Sequence, residues 1–94
     1  MARILIVEDE VVISRGIQYR LQNLGYGIAG KAYTAKEAIM LAEQTHPDLV
    51  LMDIHLTGEM DGIEAVQAIQ AQNDIPVIYL TAYDDNEILQ RAKL

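Results

Sequence analysis

Three short runs in this chain are apolar at every position: Ile4-Leu5-Ile6-Val7, Leu49-Val50-Leu51-Met52 and Val77-Ile78-Tyr79-Leu80. A strand with one face in water alternates apolar and polar residues, whereas a strand covered on both faces need not. These runs therefore predict buried strands of a parallel sheet. The first stops at Glu8-Asp9-Glu10, the second at Asp53, and the third opens after Pro76 and stops at Thr81. A fourth candidate, Tyr26 to Ala32, is less apolar and carries Gly27 and Gly30, which suits an edge.

Helical spacing fills the gaps. Ile13, Ile17, Leu21 and Leu24 form one apolar stripe, with Arg15, Gln18 and Gln22 elsewhere on the helix and Gly25 as its stop. Thr34-Ala35-Lys36-Glu37 has the form of a capping box ahead of a stripe of Ala35, Ala38, Ile39 and Ala42. Ile63, Val66 and Ile69 mark a third helix, which stops at Asn73-Asp74, and Asp84 caps a further helix start. The resulting order, βαβαβαβα, predicts an α/β fold with an open parallel sheet and right-handed crossovers. The last helix lacks any stop signal before Leu94. The expectation is one domain over residues 1–94, incomplete at its C-terminus.

Composition narrows the functions. The chain has 94 residues, no cysteine, and a net charge of −7. The charge argues against a nucleic-acid or anionic-membrane surface, which needs clustered Lys and Arg. No run approaches the ~18 apolar residues of a membrane span. Absent cysteines exclude a disulfide framework and thiolate zinc, and fit a cytoplasmic location.

Gly25-Tyr26-Gly27-Ile28-Ala29-Gly30 matches the glycine spacing of a dinucleotide fingerprint. That motif works after a strand and at the opening of a helix, where amides face a pyrophosphate. Here the order is reversed, so Gly25 reads as a helix stop and the others as relief for an edge strand. The acidic residues carry more. Glu8, Asp9 and Asp53 end two parallel strands, on the side of an open α/β sheet where ligands bind. Acids also simply solvate strand ends. If the two strands are neighbours, the three carboxylates converge, raise each other's pKa, and call for a cation. Oxygen-only donors favour a hard divalent ion, most simply Mg²⁺. Thr81, ending the next strand, adds a neutral hydroxyl at the same edge. A phosphoryl group on Asp53 would require that set: nucleophile, metal and hydrogen-bond donor.

Four linked segments carry a resemblance: Ile4 to Glu10, Pro47 to Ile54, Met60-Asp61-Gly62-Ile63-Glu64, and Pro76 to Ala82. In order and spacing they resemble the signatures of response-regulator receiver domains over the whole chain. The resemblance implies a flavodoxin-like doubly wound sheet with strand order 2-1-3-4, the fifth strand and last helix missing. It implies that Asp53 accepts a phosphoryl group from a sensor histidine kinase or a histidine phosphotransfer domain. It also implies that Asp9, Asp53 and the main-chain carbonyl of His55 bind Mg²⁺, that Glu8 assists, that Thr81 bonds a phosphoryl oxygen, and that Ala82 leaves room for it. Such a domain phosphorylates itself and is not a turnover enzyme. The lysine after the fifth strand and the aromatic on that strand have no counterpart, since Lys31, Lys36 and Lys93 match neither position.

Two other readings compete. A Mg²⁺-dependent aspartyl-phosphate phosphatase would want a second acid two residues after the nucleophile, where this chain has His55. A switch-dead interaction fragment would keep the fold without the phosphate chemistry. His46 and His55 read as loop residues, Tyr79 as core, and Tyr83 as either. With the fifth strand missing, Val77 to Leu80 forms an edge, a template for self-association.

Overall fold

In the computed structural model, which describes residues 1–56 and 58–80, every apolar run becomes a strand. The order is β1 (Arg3–Val7), α1 (Val11–Asn23), β2 (Gly27–Ala32), α2 (Ala35–Thr45), β3 (Leu49–Asp53), α3 (Gly62–Gln72) and β4 (Val77–Leu80). The strands pair in parallel as β2-β1-β3-β4. The glycine-bearing segment is indeed an edge, and its register slips between Ile4 and Leu5, so that Ala29 bulges between the partners Ile28 and Gly30. The expected helix start at Asp84, together with Thr81, Ala82, Tyr83 and Lys93, lies outside the described residues.

Alternation along the strands divides the core. Leu5, Val7, Val50 and Met52 point to one face and pack with Ala35, Ala38, Ala42, Ala65, Val66 and Ile69 of α2 and α3. Small alanines bring α2 close to the sheet and to α3. Ile4 and Ile6, one residue out of phase, are buried on the other face, where α1 packs against β1 and β2. Tyr79 is partly buried against the α2–α3 core, and burial, with Asp61 adding to it, raises its phenol pKa.

The helix ends show how local chemistry was only partly readable. Thr34 caps α2 by accepting from the Glu37 amide at 3.1 Å, but Glu37 Oε1 accepts from the Tyr33 amide instead of closing the box on Thr34. A complete capping box starts α3, where Asp61 and Glu64 exchange hydrogen bonds of 2.9 and 3.1 Å. At the end of α2, His46 adopts a left-handed conformation with φ 48°. The α1 stripe is rotated from its expected position: Ile13 and Leu24 are exposed, and Ser14 is the residue fully buried. A small side chain there lets the helix approach the sheet, and its hydroxyl has no hydrogen-bond partner among the described residues.

Candidate phosphoacceptor and metal site

The register of β1 against β3 pairs Val7 with Met52, which brings the residues that follow, Glu8 and Asp53, to one level at the C-terminal edge of the sheet. One carboxylate oxygen from each of Glu8, Asp9 and Asp53 lies within 4.8 Å of the others. Glu8 is only 6% exposed, while Asp9 and Asp53 are half-buried and open to solvent.

These three acids are not equivalent. The Glu8 amide donates to the Ala32 carbonyl at 3.1 Å, which extends the β1–β2 ladder by one residue. Its carboxyl pKa is pushed up from 4.5 to about 7. Burial is the largest cause, and the neighbouring carboxylates of Asp9 and Asp53 add to it, against a Glu10 amide that donates to Oε1 at 3.2 Å. Charge repulsion, the cause expected from sequence, is thus secondary to desolvation. Asp53 is held from the other side: its Oδ1 accepts from the His55 amide at 3.0 Å. The His55 side chain is exposed.

The loop beyond is tied down by α3. The Gly62 amide donates to the Ile54 carbonyl at 3.2 Å, so the first residue of the helix sits against the end of β3. Within Met60-Asp61-Gly62-Ile63-Glu64, the D-x-x-E spacing from Asp61 to Glu64 is the sequence signal for the cap. Gly25, with φ 95°, ends α1 at the opposite edge of the sheet from the acids, so the glycine motif plays no part here. A cavity of about 320 Å³ between the start of α2 and the β3–α3 loop, walled by Ala35, Ile39 and Met60, shares no residue with the acidic trio.

Known proteins share this fold. The family model described as the response regulator receiver domain matches residues 4–93. The chain belongs to the response regulator receiver family. It is 37% identical over 90 residues to the transcriptional regulatory protein YdfI of Bacillus subtilis, covering 95% of this chain and 42% of that protein. It is 38% identical over 91 residues to the transcriptional regulatory protein PdtaR of Mycobacterium tuberculosis, covering 97% of this chain and 44% of that protein. The chain therefore spans less than half the length of these curated relatives. Among solved structures, the signal receiver domain of a modulated diguanylate cyclase from Desulfovibrio desulfuricans superposes with a TM-score of 0.91 at 35% identity, covering 99% of this chain and 74% of that one. The fold is thus flavodoxin-like, and the relatives are regulators rather than phosphatases. No helix among the described residues is long and apolar enough to cross a membrane.

Proposed function

We propose that this receiver accepts a phosphoryl group on Asp53 from a phosphohistidine of a sensor kinase or histidine phosphotransfer domain, with Mg²⁺ as cofactor. The observation that carries the reading is the convergence of Glu8, Asp9 and Asp53 within 4.8 Å. Their donor set is all oxygen, with no thiolate or imidazole among the clustered groups, which suits a hard divalent cation. Glu8, Asp9, Asp53 and the main-chain carbonyl of His55 would hold the ion, which supplies charge neutralisation at the phosphoryl oxygens.

The chain's own groups then have distinct tasks. An oxygen of Asp53 forms the new O–P bond while the N–P bond of the donor breaks and its electron pair returns to the imidazole. The His55 amide, donating to Oδ1 at 3.0 Å, fixes the rotation of the Asp53 carboxylate so that the reacting oxygen is presented in one direction. Thr81, following β4, is assigned the hydrogen bond to a phosphoryl oxygen. The product is a phosphorylated domain and not a released small molecule, so the chain acts as a cytoplasmic signalling acceptor and not as a turnover enzyme.

Incubation with a small phosphodonor and Mg²⁺, read by intact mass, tests this. One added phosphoryl group is expected, lost in Asp53→Asn and absent when Mg²⁺ is chelated. Labelling that survives in Asp53→Asn refutes the assignment.

A further inference from the structure

Gly62 is buried, and its backbone lies against the peptide that carries the acceptor. A Cβ built there would lie 2.8 Å from the Ile54 Cα and 2.9 Å from the Asp53 carbonyl carbon, and closer still to the Asp53 carbonyl oxygen. Real Cβ atoms do not approach backbone so closely. The requirement is for space, because Gly62 does not have the positive φ of Gly25 and Gly58. As a helix former alone, alanine would serve better.

Resting on the function proposed above, we infer that Gly62 is a positioning residue: its missing side chain lets the first turn of α3 close on the Asp53–Ile54 peptide, and that contact aims the Asp53 carboxylate and the His55 main chain.

Which side gives way when a methyl group is added follows from how each is held. The start of α3 is fixed by the Asp61–Glu64 capping box, with bonds of 2.9 and 3.1 Å, and by the buried side chains of Ile63, Val66 and Ile69. The Ile54 side chain is buried too, but at the end of β3 the backbone is held less firmly, since the Ile54 amide reaches the Leu80 carbonyl only at 3.5 Å, the limit of a hydrogen bond. The strand end therefore moves. It carries the acceptor oxygen and the His55 amide with it, and the Gly62–Ile54 bond of 3.2 Å is stretched. A reacting group displaced by about 1 Å can cost about a hundredfold in rate.

The test compares Gly62→Ala with two controls. Gly16→Ala adds the same methyl group to α1, where no atom of the described residues beyond its own helix backbone lies within 4 Å. Ile69→Val loosens the core under α3 without touching the β3 end. In metal-free protein, the Ile54 and His55 amide resonances should shift in Gly62→Ala and stay put in both controls. Mg²⁺ affinity, read from the metal-dependent rise in melting temperature, should fall about tenfold or more in Gly62→Ala only, and phosphodonor labelling should slow by about a hundredfold. Controls and variant with equal Mg²⁺ affinity and unmoved amides overturn the inference. So does a Gly62→Ala chain that stays unfolded even in trimethylamine N-oxide, because Gly62 then serves the whole fold rather than the acceptor. If the wild type neither binds Mg²⁺ nor takes label, the proposed function fails, while the metal-free amide shifts still decide whether Gly62 sets the backbone.

Discussion

The clearest quantitative consequence of the site concerns the proton on Glu8. Its carboxyl is pushed from 4.5 to about 7 in the folded protein, chiefly by burial. The native state thus holds this proton more tightly than the unfolded chain, and stability falls with pH wherever the native state binds more protons. The contribution from Glu8 is full below the unfolded value of 4.5 and is lost as pH rises through about 7. Between about pH 5 and about pH 8 those two values give a loss on the order of 2 to 3 kcal/mol. That is a large share of the ~5–15 kcal/mol that holds a domain together. A bound cation reverses the preference, because it favours the ionised carboxylate and expels the proton. Mg²⁺ affinity should therefore rise with pH up to about 7 and level off above it. At a hundredfold excess over Kd the ion adds about 2.7 kcal/mol, enough to offset the loss. Urea unfolding across this pH range, in chelator and in saturating Mg²⁺, measures both effects. Glu8→Gln removes the titrating group, and the difference between wild type and variant in chelator should change by roughly 2 to 3 kcal/mol over that range. Parallel pH profiles for the two proteins in chelator would refute the reasoning.

Three further outcomes are expected. Replacing His46, which holds φ 48° at the end of α2, by glycine should raise stability by about 1 kcal/mol, read from the urea midpoint. Ser14→Ala removes a buried hydroxyl with no partner among the described residues and should stabilise the fold by about 1 kcal/mol; a loss of that size would show that the hydroxyl has a role. Among the described residues nothing pairs with the outer edge of β4, and Ile78 is half-exposed, so light scattering at high micromolar concentration should give a mass above the 10.5 kDa of one chain.

The sheet was readable because a parallel strand buried on both faces leaves an unbroken apolar run, and three such runs are present. The acids were readable for a related reason, since each interrupts a run at a strand end. What spacing could not reveal was depth. Glu8 and Asp9 are neighbours in sequence, yet one is buried and the other half-buried: the β1 ladder continues through Glu8 to Ala32, and side chains of successive residues leave a strand on opposite sides. Rotation of α1 was equally hidden. Its apolar pattern marks a broad face, and the sheet selects Ser14 for closest approach because it is small, leaving Ile13 to the side. The need for glycine at position 62 depends on a contact with residues eight and nine positions earlier, which no local pattern records.

The proposed phosphoryl transfer rests on Asp53 as the acceptor. Borohydride reduces an acyl phosphate on aspartate to homoserine, which marks the modified position in a peptide map. After exposure to phosphodonor and Mg²⁺, the account predicts homoserine at position 53 alone, and none when Mg²⁺ is chelated. Homoserine at another aspartate, or none at position 53 in protein whose intact mass shows a phosphoryl group, would contradict it.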